Sequence, residues 1–329
     1  MGRSKQLPVS LSIRLPTLDV ERQTNDRKIE FRKTLETLRT HAQRIRYLYI
    51  QANNSTFMLF FNRFLNNVNF SALETLILEQ VIADSRTYAV GPVVFNPAVF
   101  HTLRLENIMI ECNAPCLAGL RVLHAIHTSG TILDHRQLTH ATYPVIPEGP
   151  TMNNLRELII DKTHIIQTHS QLTPSFSNAS LRKLTLARIR VPTPEARTLI
   201  LRLFHMTYSP LLENLVLETI EIDAFHIFVG FLTTSDPVPK FACVRRLALV
   251  NLQFDYTPQM VEVLRMFLRA FPRVDELHLV AVSPAPVWLA LVDTTLMPLL
   301  TSINTDHKRH PRMAPPPSLP LAVAPAPQT

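Results

Sequence analysis

One short pattern of apolar and polar positions recurs along the chain. Each copy has an apolar residue, a second apolar residue three positions later, and a third two positions after that. The copies are IRYLYI from Ile45, LETLIL from Leu73, FHTLRL from Phe100, LRVLHA from Leu120, LRELII from Leu155, LRKLTL from Leu181, LENLVL from Leu212, VRRLAL from Val244 and VDELHL from Val274. Two apolar residues separated by one polar residue point to the same side of a β-strand, so each hexamer predicts a half-buried strand.

A single strand of this kind cannot bury its apolar face, whereas stacked copies share a continuous core. In LENLVL, for example, we expect Leu215 and Leu217 to point inward and Val216 to point outward. The spacing between copies is irregular, from 20 residues between Phe100 and Leu120 to 35 between Leu120 and Leu155. Irregular spacing favours a rough solenoid with longer repeats over a uniform one.

Amphipathic segments between the hexamers predict helices. Thr193-Pro194-Glu195 supplies a cap, a first-turn proline and an acidic residue before ARTLILRLFHM, and Thr257-Pro258-Gln259 precedes MVEVLRMFLRAF in the same way. The segments from Ser55 and from Ala285 to 300 also have helical period. An order of strand, helix and strand predicts parallel strands, with the helices on the convex side of the sheet.

Three regions are predicted. Residues 1–44 form a strand and a helix that cap the array, and residues 45–306 form the α/β solenoid. Residues 130–154, which include TYPVIPEGP, are expected to loop out as an insertion. Residues 307–329 are proline-rich, without strand or helical period, and are expected to be a disordered tail.

Composition narrows the class of protein. The chain is 46% hydrophobic with a mean hydropathy of +0.10, but no stretch approaches twenty apolar residues, so no membrane span is predicted. Three cysteines and no signal-peptide core favour a reducing compartment, the cytoplasm or the nucleus. The net charge of +7 is scattered along the chain, which favours a solvated basic surface over a nucleic-acid patch.

Candidate chemistry is sparse. The six glycines lie too far apart for a phosphate-binding loop or a Gly-x-Ser-x-Gly nucleophile elbow. Cys112, Cys116, His124 and His127 have spacings that zinc sites use. However, His124 should face outward from its strand, His127 should have the opposite parity, and Cys116 is expected to pack as a small apolar group. We therefore predict no metal, no cofactor and no catalytic residue.

The segment QLPVSLSIRLP, followed by a charged helix with LETLRTHAQRIRYLYI, resembles the start of the repeat region in fungal F-box/leucine-rich-repeat proteins. The resemblance covers most of residues 6–306. It implies a leucine-rich-repeat horseshoe and the substrate-recognition half of that family's function in ubiquitin ligation. The F-box that docks the cullin-ligase adaptor is expected to be missing, so adaptor binding is not implied.

In leucine-rich repeats the outward strand positions line the concave side, where partners bind. One such column here is Tyr49, Ile77, Arg104, His124, Ile159, Thr185, Val216, Ala248 and His278. The next is Gln51, Glu79, Glu106, Ile126, Asp161, Ala187, Glu218, Val250 and Val280. The candidates for partner contact are Tyr49, Ile77, Glu79, Arg104, Glu106, His124, Ile159, Asp161, Val216, Glu218 and His278. The acidic positions in the second column favour a basic or hydrogen-bond-donating ligand over a nucleic-acid backbone.

The sequence thus predicts a monomeric, non-catalytic protein that recognises another protein, resembling a substrate receptor of a ubiquitin ligase. One alternative is a scaffold unrelated to ubiquitin that holds two proteins together. Another is that these strand residues are merely solvated and that the helical side binds the partner. An enzyme or a nucleic-acid binder on a repeat platform is a third alternative. A salt-steep affinity for RNA or DNA would favour the binder, and nothing in the sequence favours the enzyme.

Overall fold

The structure is a computed structural model that describes residues 7–15, 33–34, 36–52, 68–80, 88–96, 98–106, 108–112, 118–126, 154–161, 180–191, 196–234, 240–293 and 295–306. Several predictions lie outside these ranges. They are the helix from Ser55, the insertion before Asn154, the cap at 193–195, His127, Cys116 and the C-terminal tail.

The chain is an α/β protein with an open, eleven-stranded parallel sheet. Its strands, in spatial order, are β1 (Val9–Leu15), β2 (Ile45–Ala52), β4 (Thr75–Gln80), β6 (Thr102–Glu106), β8 (Val122–Ile126), β9 (Glu157–Asp161), β10 (Lys183–Ala187), β11 (Asn214–Glu218), β12 (Arg246–Val250), β13 (Glu276–Val280) and β14 (Ser302–Asp306). Spatial order follows chain order, as expected of a solenoid. All nine hexamers form strands, so that prediction is confirmed.

A second, three-stranded parallel sheet is formed by strands that alternate along the chain with β2, β4, β6 and β8 of the first sheet. It consists of β3 (Asn69–Phe70), β5 (Tyr88–Phe95) and β7 (Ile108–Cys112). The strand β7 is where the apolar pattern of the third hexamer continues through LENIMI. In that part of the chain the next described element after β6 is a second strand, not a helix.

Four helices lie between the later strands: α1 (Ala196–Thr207), α2 (Ile222–Thr233), α3 (Pro258–Arg269) and α4 (Pro284–Leu291). Thr257 caps α3 as predicted, since its Oγ1 accepts a hydrogen bond from the Met260 N–H at 3.2 Å. The prediction of a helix from Ala285 to 300 is wrong beyond Leu291. There the Asp293 carboxylate accepts hydrogen bonds from both the N–H and the hydroxyl of Thr295, which forms a turn instead.

One apolar core joins the strands to the helices. Leu215 and Leu217 are 0% and 2% exposed, which confirms the predicted inward parity. The first apolar residue of every hexamer is buried as well. Phenylalanine rings extend this core between the helices. The ring centroids of Phe204 in α1 and Phe228 in α2 are 4.7 Å apart. Those of Phe225 in α2 and Phe267 in α3 are 5.1 Å apart. The aromatic contacts therefore connect three successive helices.

Four consecutive strands are each followed by one residue with a left-handed backbone conformation. Directly after β10, β11, β12 and β13, the φ angles are 54° at Arg188, 52° at Thr219, 52° at Asn251 and 51° at Ala281. The N–H of each donates to the carbonyl of the last residue in the next strand, at 2.7–3.2 Å. This conformation costs a residue other than glycine roughly 1–2 kcal/mol, so the repeated ladder holds the backbone there against its local preference.

Candidate functional site

The outward residues of the parallel sheet form its open face, defined as the strand positions opposite in parity to the buried leucines. Strand register aligns them in columns. Tyr49 pairs with Ile77, Ile77 with Arg104, and Arg104 with His124, and the alignment continues across the sheet to His278. Gln51 pairs with Glu79 in the same way, and that column continues to Val280. The structure thus brings every candidate residue onto one surface.

Sequence reasoning omitted a third column of the open face, which lies two residues before the Tyr49-to-His278 column in each strand. Its members are Tyr47, Thr75, Thr102, Val122, Glu157, Lys183, Asn214, Arg246 and Glu276. The same strand parity that gave the other columns would have identified it. The Lys183 ammonium lies 2.6 Å from the Glu157 carboxylate on the neighbouring strand, so part of this column is internally paired.

At the N-terminal end of the open face, a tyrosine, two glutamates and an arginine form a polar cluster. The Tyr49 hydroxyl donates to Glu79 Oε2 at 2.8 Å, and Arg104 Nη2 lies 3.0 Å from Glu79 Oε1 and 3.5 Å from Glu106 Oε2. Burial, followed by the hydrogen bond to Glu79, raises the pKa of Tyr49 to about 12. Two of the predicted acidic positions therefore share one guanidinium, which reduces the negative charge that a ligand would encounter.

The third acidic candidate is also neutralised. Asp161 is 4% exposed and accepts hydrogen bonds from both Nε and Nη2 of Arg188, the left-handed residue after β10. Sequence reasoning missed Arg188 because it lies outside the strand, and only the left-handed turn directs it back over the sheet. Glu218 is the remaining acidic candidate and has no ion pair with another described residue.

His124 occupies an open-face position but is only 8% exposed, which strand parity alone did not predict. Burial lowers the pKa of His124 to about 4, and the positive charges of Arg104 and Arg188 add to the effect while Asp161 opposes it. Its Nε2 has no hydrogen-bond partner among the described residues. His124 is therefore neutral near pH 7 and packs as a partly apolar ring.

Toward the C-terminal strands the open face becomes apolar. The apolar patch, defined as Ala187, Val216, Ala248, Val250 and Val280, covers β10 to β13. Val216 pairs with Ala248 and Val250 with Val280 across neighbouring strands. Ala187 is buried and the other four are half-buried. Charged side chains surround the patch: Arg246, Glu218, and Glu276, whose Oε1 lies 2.8 Å from His278 Nε2.

An apolar centre within a charged rim is how protein-binding surfaces are built. Within the described residues, no group of three or more His, Cys, Asp or Glu side chains could hold a metal ion. No helix among those residues is long and apolar enough to cross a membrane. No protein-family model and no curated protein matches the sequence of the chain.

Proposed function

We propose that this protein is a leucine-rich-repeat horseshoe that recognises another protein through the open face of its sheet. The apolar patch carries the proposal. Four half-buried apolar side chains face outward on three adjacent strands, where an isolated protein would favour polar ones. Burying them under a partner contributes about 25 cal/mol for each Å² of apolar surface removed from water.

The role we propose is binding without catalysis. The polar side chains of the open face bond to partners on neighbouring strands, as in the Tyr49–Glu79–Arg104 cluster and the Asp161–Arg188 pair. Such bonds hold a recognition surface in a fixed shape before the partner arrives, which lowers the entropy cost of association.

The resemblance to fungal F-box/leucine-rich-repeat proteins suggests a more specific role. We propose that the chain acts as a monomeric substrate receptor for ubiquitin ligation, in the cytoplasm or nucleus, and that its protein partner is a ubiquitination substrate. The other candidate is a scaffold with no link to ubiquitin. Affinity purification from the protein's own cells, read by mass spectrometry, separates the two: reproducible partners without any cullin-ligase component would leave only the scaffold.

The surface itself is tested by one substitution made at two sites. Val250→Asp places a charge in the apolar patch, whereas Val292→Asp places the same charge at the end of α4, where Val292 is 75% exposed. We expect Val250→Asp to abolish co-purification of the partners and Val292→Asp to leave it intact, with equal thermal stability for the two variants. Loss of partners in Val292→Asp alone would instead assign binding to the helical side.

A further inference from the structure

Several arginines lie along the edge of the open face where its strands begin. The arginine row, defined as Arg121, Arg156, Arg182 and Arg245, occupies the second position of four hexamers. The first three directly precede the consecutive strands β8, β9 and β10, and Arg245 directly precedes β12. Glu213 occupies the same position before β11, between Arg182 and Arg245.

Backbone hydrogen bonds hold the row in register. The carbonyl of Arg121 accepts from the N–H groups of Arg156 and Glu157, at 2.8 and 3.0 Å. The carbonyl of Arg156 accepts in the same way from Arg182 and Lys183, both at 2.9 Å. The three arginines are therefore about 4.8 Å apart, the spacing of adjacent strands.

Among the described residues, three of the four arginines in the row have no counterion. Arg182 lies 3.4 Å from the Glu213 carboxylate. Arg121, Arg156 and Arg245 are exposed, and none has a carboxylate within 4.0 Å among the described residues. The same is true of Arg246, next to Arg245 and at the border of the apolar patch. Like charges on adjacent strands repel one another, so an anion that approaches the row is attracted by several guanidinium groups at once.

The opposite edge of the open face has the opposite sign. The strands end near Glu79, Glu106, Asp161 and Glu218, although the first three share their charge with Arg104 and Arg188. Val216 and Ala248 of the apolar patch lie in the middle column, whereas Ala187, Val250 and Val280 lie in the same column as these carboxylates. In β12, Ala248 and Val250 are three and five residues from Arg245, or about 10 and 17 Å along the strand.

We propose that the partner is a protein segment with carboxylates beside its apolar side chains. Its apolar side chains cover the apolar patch, and its carboxylates contact the arginine row, whose nearest member along β12, Arg245, is about 10–17 Å from Ala248 and Val250. This inference rests on the proposed function and adds the chemistry of the partner. It differs from the sequence-based expectation of a basic ligand. Two arginines offset half of the charge of the four carboxylates behind that expectation, whereas three of the four arginines in the row have no carboxylate within 4.0 Å among the described residues.

A protein segment fits better than a nucleic acid. Glu213 interrupts the row, Asp275 follows Arg245 directly before the next strand, and Glu157 lies next to Arg156. A phosphodiester backbone that followed the edge of the sheet would meet these carboxylates within a few strands, whereas a short acidic segment need contact only the three consecutive arginines.

The test uses the full chain and fluorescence anisotropy. The probe is a labelled peptide with a glutamate cluster separated by about four residues from a Val/Leu cluster. A peptide with lysine in place of glutamate and a single-stranded oligothymidylate are the comparison probes. We expect the acidic peptide to bind best and salt to weaken its binding. Arg121→Gln with Arg156→Gln should weaken it about 2- to 30-fold, the range for the loss of two exposed ion pairs.

The matched control is Arg269→Gln with Arg273→Gln, two exposed arginines in and after α3 that change the net charge equally. We expect it to leave the affinity for the acidic peptide unchanged. Equal weakening by both double variants, failure of the acidic peptide to bind, or tighter binding of either comparison probe would overturn the inference. If Val250→Asp still abolishes partner capture in that case, the proposed function stands and only the chemistry of the partner is wrong.

Discussion

The left-handed residues after β10 to β13 predict an unusual response to glycine. Ala281 is the simplest of the four to test, because its side chain is a single methyl group and forms no hydrogen bond. Its backbone is held on both sides: its N–H donates to the Asp306 carbonyl at 3.2 Å, and its carbonyl accepts from Gln253 Nε2 at 3.3 Å. Glycine at this position would therefore keep the same conformation, with φ near 51°.

The magnitude follows from three opposing contributions. Relief of the left-handed conformation in Ala281→Gly stabilises the fold by roughly 1–2 kcal/mol. The greater freedom of glycine in the unfolded chain costs about 0.4–1 kcal/mol. Loss of the half-buried methyl group costs less than the ~0.8 kcal/mol of a fully buried one. Together these ranges give a change of about −0.8 to about +1.6 kcal/mol, so we expect the free energy of unfolding to stay nearly level or to rise slightly.

The control is the same substitution at Ala270, the residue after α3, whose φ of −71° is favourable for alanine. Ala270→Gly removes a methyl group that is 5% exposed and relieves no strain, so it should destabilise the fold by about 1–2 kcal/mol. Urea denaturation followed by circular dichroism measures both variants. If Ala281→Gly is destabilised as much as Ala270→Gly, the ladder does not hold Ala281 in a strained conformation and the reasoning is refuted.

Three further predictions concern packing, pH and capping. Phe228→Ala should lower the free energy of unfolding by about 3–5 kcal/mol, since the ring is 2% exposed, whereas Trp288→Ala, at 43% exposure, should cost much less; thermal unfolding compares them. Because the pKa of His124 is lowered, the unfolded chain binds a proton at this site below about pH 6.5, whereas the folded chain binds it only below about pH 4. The free energy of unfolding should therefore decrease as the pH is lowered from about 6.5 to about 4, by up to about 1.4 kcal/mol per pH unit. His124→Gln should remove this part of the pH dependence in urea titrations. Thr257→Ala should cost about 1 kcal/mol by removing the cap of α3, and Thr257→Ser should restore most of it.

The strand positions of the array could be predicted because one physical requirement repeats. Leu215 and Leu217 are separated by one residue and follow Leu212 by three and five, and that spacing alone places all three in the core. The columns of the open face follow from the same parity. The last strand could not be predicted this way, since β14 reads SINTD and only Ile303 packs against the core.

Features that depend on contacts between repeats were not visible in the sequence. The helix α2 reads IDAFHIFVGFLT, which is apolar on most sides because α1 and α3 flank it, so it lacks the amphipathic period of an exposed helix. The burial of Asp161 depends on Arg188. The left-handed backbone of Arg188 could not be predicted, because glycine is the residue that usually signals this conformation and none is present at that position. The arginine row can be found in the sequence as the second letter of LRVLHA, LRELII and LRKLTL. Only the side-chain positions show that Arg121 and Arg156 have no carboxylate within 4.0 Å among the described residues, whereas Arg182 has Glu213.

The phenylalanine contacts between helices bear on how the molecule opens. Phe204, Phe228 and Phe267 join α1, α2 and α3, so none of these helices can detach without exposing a ring of its neighbour. In a linear array, repeats coupled in this way unfold as one block, and weakly coupled repeats exchange separately. We therefore expect the amide protons of β11 to β13 to share one slow hydrogen-exchange rate. Among the described strands, β1 and β14 are each paired on one side only, and they should exchange sooner and at rates of their own.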